Sequence, residues 1–280
     1  MRAEIRRGRG WVVDADLADC FGSLDHEAVM ARVARRVSDR RMLKLIRAWL
    51  RVGVLEGGVL ADVVAGTRQG SPISPLLANV ALHVLDEEWN ARHRGLGVLV
   101  RYCDDLVVLC ASRARAEEAR SRLAAIVAPL GLQLNPDKTR IVCLTEGREG
   151  FDFLGFHHHK RRSRRRPGVW YLASWPSARA MRSVRAKVRE ATGRRNVGRP
   201  VEAVVVDLNR VLRGWGNFFR WGNPAKKFWN VDCYVYERLE RYLHAKHGPR
   251  FGRRRMYDIY PRLGVYRLTR PARARPAAHA

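Results

Sequence analysis

Val98-Leu-Val-Arg-Tyr-Cys-Asp-Asp-Leu-Val-Val-Leu-Cys110 places two adjacent aspartates between two short apolar runs. Runs rich in β-branched residues are typical of strands, and a polar pair between them is typical of a tight turn. The stretch therefore predicts a β-hairpin with Asp104 and Asp105 at its turn. A lone Asp-Asp pair points only weakly to function, because turns favour aspartate in any protein.

A second apolar run, near the start of the chain, carries two further carboxylates. In Trp11-Val-Val-Asp-Ala-Asp-Leu17, Asp14 and Asp16 are two residues apart, so a strand directs both side chains to one face. Clustered carboxylates repel one another unless a cation neutralises them, and Mg²⁺ prefers such hard oxygen ligands. Two Mg²⁺ ions about 4 Å apart, with Mn²⁺ as a substitute, can activate a 3′-hydroxyl and stabilise a leaving pyrophosphate.

The remaining elements of the first half follow from apolar periodicity and from Gly and Pro. Helices are predicted over residues 24–37, 39–52, 76–90 and 117–130, and strands near residue 133 and over 139–144. The resulting order β-α-α-α-β-β-α-β is typical of a small sheet with helices on one face. The predicted fold class is α+β.

Charge divides the chain into two unlike parts. The sequence has 54 Lys+Arg against 27 Asp+Glu, a net charge of +27. Residues 1–156 hold 23 basic and 20 acidic residues, whereas residues 157–280 hold 31 and 7. An excess of positive charge confined to the second half indicates that this half binds a polyanion, of which nucleic acid is the obvious one. The nearly neutral first half is then the candidate catalytic half.

Several classes of protein are excluded by composition. The first ten residues lack the apolar core of a secretory signal, and no run approaches the roughly 20 apolar residues of a membrane span. The five cysteines contain no CxxC pair, which argues against a disulfide framework and a zinc ribbon. We therefore expect a cytoplasmic protein with no membrane partner.

Six segments resemble, in order, the motifs of group II intron reverse transcriptases/maturases. Tyr102-Cys-Asp-Asp105 resembles the Tyr-x-Asp-Asp signature of reverse transcriptases. The segment Arg213-Gly-Trp-Gly-Asn-Phe-Phe-Arg220 resembles the maturase domain. The other four motifs are matched by residues 14–26, by Gln69-Gly-Ser-Pro-Ile-Ser-Pro-Leu-Leu-Ala-Asn79, by Gly131-Leu-Gln-Leu-Asn-Pro-Asp-Lys-Thr139 and by Gly150-Phe-Asp-Phe-Leu-Gly-Phe156.

The resemblance implies a domain organisation and an activity. A reverse transcriptase palm with a small antiparallel sheet would occupy residues 1–156. The basic run over residues 157–168 breaks the preceding pattern and marks the domain boundary, and a basic linker is predicted at 157–175. An all-α basic thumb/maturase domain would follow at 176–269, and a disordered tail at 270–280. The implied activity is the addition of deoxynucleotides to the 3′-end of a DNA primer on an RNA template, with deoxynucleoside triphosphates as substrates and pyrophosphate as the leaving group. The implied partners also include group II intron RNA, whose splicing and mobility the protein would assist, and target DNA.

The resemblance also assigns roles to individual residues. Asp16, Asp104 and Asp105 correspond to the catalytic, metal-binding carboxylates, and Leu17 would offer a backbone carbonyl to one ion. The implied nucleotide-binding positions are Asp19, Cys20, Phe21, Gln69, Gly70 and Lys138. Phe21 would exclude the ribose 2′-hydroxyl. Lys138 would lie near the phosphates, although a solvated turn lysine explains it equally well. Asp14 and Asp25 do not match metal positions and are interpreted as a strand-end carboxylate and a helix cap.

The basic residues of the second half are the candidate RNA contacts, because a face of cations can neutralise successive phosphates. The candidates are Arg161, Arg162, Arg164, Arg165, Arg166, Arg213, Arg220, Lys226 and Lys227. Most aromatic residues between 215 and 236 are interpreted as core, with exposed ones available to stack on unpaired bases. The alternating aromatics of residues 151–156 indicate a buried strand face more than a primer-gripping hairpin.

Departures from the family pattern leave a second hypothesis open. The catalytic motifs begin almost at Met1, so the resemblance implies a chain truncated at its N-terminus and lacking most of the fingers region. Arg68, Gly22 and Cys103 stand where the family often has proline, aspartate and alanine. The alternative is therefore a non-catalytic RNA-binding splicing factor or a degenerate fragment. A polymerase of the retron or diversity-generating type is disfavoured by residues 213–220.

Overall fold

Helices and strands alternate up to residue 176, and the described chain is helical thereafter. The computed structural model describes residues 1–51, 54–56, 59–61, 73–248, 251 and 253–269. Its strands are β1 (Trp11–Ala15), β2 (Leu17–Ala18), β3 (Val54–Glu56), β4 (Val59–Ala61), β5 (Gly97–Tyr102), β6 (Asp105–Cys110), β7 (Gln133–Leu134), β8 (Arg140–Cys143), β9 (Gly150–Phe153), β10 (Phe156–Arg162) and β11 (Trp170–Pro176). Its α-helices are α1 (Arg2–Arg6), α2 (Cys20–Ser23), α3 (His26–Ala34), α4 (Arg40–Arg51), α5 (Ser74–Glu88), α6 (Arg113–Val127), α7 (Ala178–Ala191), α8 (Val201–Phe219), α9 (Ala225–His247) and α10 (Arg253–Ile259).

The strands with the acidic residues form one four-stranded antiparallel sheet in the order β5-β6-β1-β8. In its register, Asp14 of β1 lies opposite Val107 of β6 and Arg140 of β8. Strands β5 and β6 are joined by two residues, with Tyr102 paired to Asp105. The hairpin predicted from residues 98–110 is confirmed.

One face of this sheet is buried under helices. Val13 and Ala15 of β1 and Val108 of β6 lie in a core with Leu82 of α5 and Leu123 of α6. Because side chains alternate along a strand, Asp14 lies on the opposite face. A small antiparallel sheet with helices on one face confirms the α+β class, and the packing leaves the acidic residues on the face that these helices do not cover.

Local signals explain where two helices of this part begin. Asp25 caps α3 by accepting a hydrogen bond of 2.7 Å from the Ala28 amide, which confirms its interpretation as a cap. Helix α6 begins at Arg113, four residues before the predicted start, because the Ser112 hydroxyl accepts from the Arg115 amide. Gly131 follows this helical stretch with φ of 76°, and a Cβ there would lie 2.6 Å from the Ser23 carbonyl oxygen.

Residues 157–175 are not the linker that charge patterning predicted. Most of the segment belongs to strands β10 and β11, and the Ser163 amide donates to the Val169 carbonyl at 2.8 Å. The apolar run from Val169 to Pro176 contains strand β11. The charge pattern did not predict this strand, because arginines dominate the residues that precede it. Arg164, Arg165 and Arg166 lie between the two strands and are exposed.

The chain divides into two compact units whose limits also differ from those predicted. Unit 1 comprises residues 1–153 and 160–172, and unit 2 comprises residues 154–159 and 173–280. The division therefore passes through β10 and β11 instead of falling after residue 156. A helix long and apolar enough to cross a membrane does not occur among the described residues.

Unit 2 is built around helices α7, α8 and α9. Val184, Leu208, Val235 and Leu239 are among its fully buried residues. Buried Asp232 of α9 accepts hydrogen bonds from the amides of residues 268 and 269 and from the hydroxyl of residue 269, and so anchors this segment.

The aromatic residues of unit 2 divide into a core set and an exposed set. Phe219 and Phe228 are buried, and Trp215, Tyr234 and Tyr236 pack against the same core. The core interpretation of these residues is confirmed. Between residues 215 and 236 the exposed aromatic residues are Phe218, Trp221 and Trp229, with 56%, 67% and 61% of their surface accessible.

Candidate active site

Asp16 and Asp105 lie beside one solvent-accessible pocket of about 390 Å³ in unit 1. Asp16 directly follows β1 and Asp105 begins β6. Because Ala15 pairs with Leu106, the next step of the antiparallel register brings Asp16 and Asp105 to the same end of the sheet. The pocket is also lined by Asp14, Asp137, Lys138, Arg140 and Asp152.

Lys138 contacts a predicted catalytic carboxylate directly. Its Nζ lies 3.1 Å from Oδ2 of Asp16. The Asn135 side chain holds the turn before it by accepting hydrogen bonds from the amides of Asp137 and Lys138. The lysine is exposed, as a solvated turn lysine would be, but its ammonium group faces the acidic pocket.

Asp104 is not among the residues that line this pocket. It follows Cys103 in the two-residue turn between β5 and β6, and it is half-buried. Burial of the Cys20 thiol, with a further contribution from the negative charge of Asp104, raises the pKa of Cys20 to about 12. Asp104 is thus near enough to Cys20 for its charge to act on that thiol, whereas Asp105 lines the pocket with Asp16.

Asp14 has a different role from its neighbour Asp16. Its Oδ2 accepts a hydrogen bond of 3.1 Å from Nε of Arg140 on β8. Burial raises the pKa of Asp14, and the guanidinium of Arg140 partly opposes this rise. Asp14 is thus paired with a cation across the sheet, and its interpretation as a strand-end carboxylate stays a prediction.

The backbone around Asp16 is tied to the segment that carries Lys138. The Asp16 carbonyl accepts a hydrogen bond of 2.8 Å from the Asn135 amide. The next residue, Leu17, is buried in β2 and pairs with Leu134 of β7. Residues 16–17 and 134–138 are consequently fixed to each other across a long stretch of sequence.

The predicted nucleotide-binding residues are only partly described by the structure. Asp19 has φ of 39° and caps α2 by accepting from the Gly22 amide at 3.2 Å. A Cβ on Gly22 would lie 2.1 Å from the Asp19 carboxylate, so a larger residue at this position requires the Asp19 side chain to move. Phe21 lies in α2, but its side chain is outside what is described, and Gln69 and Gly70 lie outside the described residues altogether.

A hydrogen-bond network behind the Tyr102–Asp105 turn was not predicted from the sequence. Nη1 of Arg101 donates to the Cys103 carbonyl at 3.0 Å and to Oδ1 of Asn79 at 2.8 Å. Both oxygens of Asp86 accept from the same guanidinium. Asp86 and Asn79 lie on α5, so the network ties this helix to the turn. An arginine within an apolar strand is the one signal that could have suggested it.

The carboxylates have the donor chemistry for Mg²⁺, although their side chains do not form a complete set of ligands. Asp16 and Asp105 supply hard oxygen atoms beside an open pocket. Across the described ranges, no three His, Cys, Asp or Glu side chains converge as a group that could hold a metal ion.

The predicted RNA-binding residues are mostly exposed. Arg161, Arg162, Arg164, Arg165, Arg166, Arg213, Arg220 and Lys226 are exposed, and Lys227 is half-buried. Two of these guanidinium groups stack on aromatic rings of unit 2, since Arg213 lies 4.9 Å from the ring of Tyr266 and Arg220 lies 4.9 Å from the ring of Trp221. Such stacking orients the guanidinium while leaving hydrogen-bond donors available.

Residues 2–158 match the family described as reverse transcriptase (RNA-dependent DNA polymerase), which is more than half of the chain. The chain belongs to the reverse transcriptase family. Residues 181–258 match the group II intron, maturase-specific domain. The two matches confirm the resemblance to group II intron reverse transcriptases/maturases.

Individual relatives match parts of this chain. Protein YkfC of Escherichia coli (strain K12) is 31% identical over 190 residues, 56% of this chain and 49% of YkfC. Group II intron-encoded protein LtrA of Lactococcus lactis subsp. cremoris is 38% identical over 80 residues, 29% of this chain and 13% of LtrA. The Retron Mx162 reverse transcriptase of Myxococcus xanthus is 27% identical over 245 residues, 80% of this chain and 47% of that protein. The chain thus spans half the length or less of these relatives.

Proposed function

We propose that this chain is an RNA-directed DNA polymerase that also binds group II intron RNA and assists its splicing and mobility. The observation that carries the proposal is the shared pocket of Asp16 and Asp105 within a segment that matches the reverse transcriptase family. The maturase-specific match of residues 181–258 supports the RNA-binding part. The substrates are deoxynucleoside triphosphates, a DNA primer and an RNA template, and target DNA is the further partner in mobility.

Asp16, Asp104 and Asp105, with the Leu17 carbonyl, are the groups proposed to hold two Mg²⁺ ions, for which Mn²⁺ can substitute. Once bound, such ions supply Lewis-acid activation of a primer 3′-hydroxyl and charge stabilisation of pyrophosphate. The carboxylates of Asp16 and Asp105 are suited to this, because they border an open pocket on the face of the sheet that the helices do not cover. Carboxylate donors without His or Cys favour Mg²⁺ over softer metals.

The nucleotide is proposed to contact residues 19–21 and Lys138, and Lys138 is among the residues that line the pocket. Lys138 is proposed to hold its ammonium group, which now pairs with Asp16, beside the triphosphate. Phe21 is proposed to exclude the ribose 2′-hydroxyl, and Asp19 and Cys20 to offer backbone groups. Gln69 and Gly70 remain proposed contacts of the base and the template.

Primer extension on an RNA template, with the full chain, tests the polymerase. Asp104→Asn keeps the shape of the side chain but removes a charge, so extension should fall by several orders of magnitude. Asp39→Asn is the matched control, because Asp39 caps α4 far from the turn in sequence and asparagine also caps helices. Undiminished extension by Asp104→Asn would contradict the assignment.

The competing hypothesis is a non-catalytic RNA-binding splicing factor, and one measurement separates it from the proposal. Both hypotheses expect intron RNA to bind, whereas only the proposal expects incorporation of nucleotides. Tight intron binding by the unmodified chain with no extension in Mg²⁺ or Mn²⁺ would favour the splicing factor.

A further inference from the structure

Arg101 is one residue before the Tyr102–Asp105 turn, and its side chain is only 11% exposed. Its guanidinium group donates hydrogen bonds to three residues. It donates to both carboxylate oxygens of Asp86, with Nε 3.1 Å from Oδ1, and it donates to Oδ1 of Asn79 at 2.8 Å. It also donates to the Cys103 carbonyl at 3.0 Å. The Cys103 carbonyl lies on the peptide that leads directly to Asp104.

The turn formed by Cys103 and Asp104 has a backbone conformation that contacts with other residues must stabilise. Cys103 has φ of 54°, a left-handed backbone conformation that residues other than glycine adopt only when their surroundings hold them there. The Arg101–Cys103 hydrogen bond supplies such support, and Nδ2 of Asn79 lies 3.7 Å from Sγ of Cys103. Both external supports of the turn thus connect to α5.

Helix α5 is a rigid base for this contact. Leu82 and Leu85 of α5 are fully buried in the core of unit 1, so the helix cannot shift without disturbing that core. Asp86 follows these residues and fixes the guanidinium in a two-point contact. A planar fork can hold a carboxylate and a carbonyl at the same time, whereas the single ammonium group of lysine cannot reproduce that geometry.

We propose that Arg101 is a positioning residue that holds the turn, and with it Asp104 and Asp105, in one orientation by linking the Cys103 carbonyl to Asp86 and Asn79 of α5. This inference rests on the proposed polymerase function for its catalytic consequence. Its structural part, the fixing of the turn, is independent of any activity.

The first test follows the turn itself by alkylation of Cys103, which is half-buried in the network. Iodoacetamide labelling, followed residue by residue by mass spectrometry, compares the full chain with Arg101→Lys. A second variant combines Arg101→Gln and Asp86→Asn, which removes both charges together and leaves no buried charge unpaired. We expect Cys103 to be labelled at least about tenfold faster in both variants, because each loses the restraint on the turn, while Cys143 and Cys233 are unchanged. Equal labelling of Cys103 in all three proteins overturns the proposal.

The second test follows catalysis. If the carboxylates are displaced, kcat should fall about 10- to 100-fold, while KM for the nucleotide and the melting temperature stay close to those of the unmodified chain. The control combines Arg122→Gln and Glu118→Gln, an exposed pair on α6, and should leave kcat unchanged. A kcat unchanged in the Arg101 variants overturns the catalytic part. If the unmodified chain extends no primer, the polymerase proposal fails, and the labelling of Cys103 still decides whether Arg101 holds the turn.

Discussion

Nζ of Lys138 lies 3.1 Å from Oδ2 of Asp16, although the two residues are far apart in the sequence. Their side chains are 66% and 36% exposed, so solvent screens the pair and it contributes well under about 1 kcal/mol to stability. The contact is therefore of interest for its position and not for its contribution to stability, because it holds a cation beside a proposed metal-binding carboxylate.

Lys138→Gln should reduce primer extension without reducing stability. The substitution removes the proposed cation beside the triphosphate, and we expect kcat to fall about tenfold to a hundredfold. Steady-state extension on an RNA template and thermal unfolding are the measurements. Arg113→Gln, which removes an exposed cation from α6, serves as the control and should have no effect. Extension by Lys138→Gln at the unmodified rate would restore the interpretation of Lys138 as a solvated turn residue.

Phe21→Val should admit ribonucleotides if the aromatic ring blocks the space of a 2′-hydroxyl. The expected result is a lower ratio of kcat/KM for deoxynucleotides over ribonucleotides, caused mainly by faster use of ribonucleotides. Single-nucleotide addition with each sugar measures it. An unchanged ratio would mean that Phe21 only packs.

RNA affinity should depend on Arg213 and Arg220 and should fall steeply with salt. Each lost phosphate contact should lower the slope of log K against log salt by about 0.7 to 0.9. Filter binding of the full chain to group II intron RNA and to a length-matched RNA, across a salt series, compares Arg213→Ala/Arg220→Ala with Arg113→Ala/Arg122→Ala. We expect the first pair alone to weaken binding and to reduce the preference for the intron. Equal effects of the two pairs would indicate a generic basic surface.

The full chain is required for that comparison, because an isolated 157–280 fragment would begin inside β10. The same experiment can evaluate the arginines between β10 and β11. Arg164, Arg165 and Arg166 are exposed, and their joint replacement by alanine should lower affinity for both RNAs alike, since phosphate contacts carry no sequence information.

Asp232→Ala should destabilise unit 2. The change leaves the amides of Leu268 and Thr269 without their acceptor, at an expected cost of about 2 kcal/mol. Urea unfolding and amide hydrogen exchange of residues 268–269 measure it. The control Glu190→Gln removes an exposed ion pair with Arg195 and should change stability by less than about 0.5 kcal/mol. Unchanged exchange at residues 268–269 in Asp232→Ala would contradict the anchoring role.

The cysteines should differ in reactivity with pH. Burial raises the pKa of Cys20 to about 12 and that of Cys110 to about 11, so at pH 8 only about one thiol in ten thousand and one in a thousand is a thiolate. Iodoacetamide should therefore spare both in the native protein, and their labelling should rise as the pH approaches these values or when the chain is unfolded. Labelling of Cys20 at pH 8 as fast as that of Cys233 would contradict its burial.

Much of unit 1 was predictable from the sequence because its signals are local. The apolar runs around Asp104 and Asp105 specify a hairpin through residues that are neighbours in the chain, and Asp25 specifies a helix start in the same way. In the second half, apolar periodicity likewise predicts helices over residues 177–192, 201–220 and 225–246, and α7, α8 and α9 agree with these limits to within one residue.

Local sequence patterns do not decide the structure of a segment whose composition fits both a linker and a strand. The arginines between residues 160 and 166 indicated a linker, yet strands form there because Val169–Pro176 supplies an apolar strand later in the chain. A strand is stable only when it is paired, so the outcome depends on a segment that lies beyond the run of arginines itself.

The sequence by itself determined which carboxylates carry the proposed chemistry and which elements hold them, since each signal is a pattern of adjacent residues. Only the tertiary structure decided how they are oriented: Asp16 and Asp105 line a pocket with Lys138, and Arg101 is joined to Asp86 of α5. The physical reason is that a hydrogen bond or an ion pair depends on the distance and direction between two side chains. Those quantities are set by the packing of helices on the sheet, which no stretch of neighbouring residues encodes alone.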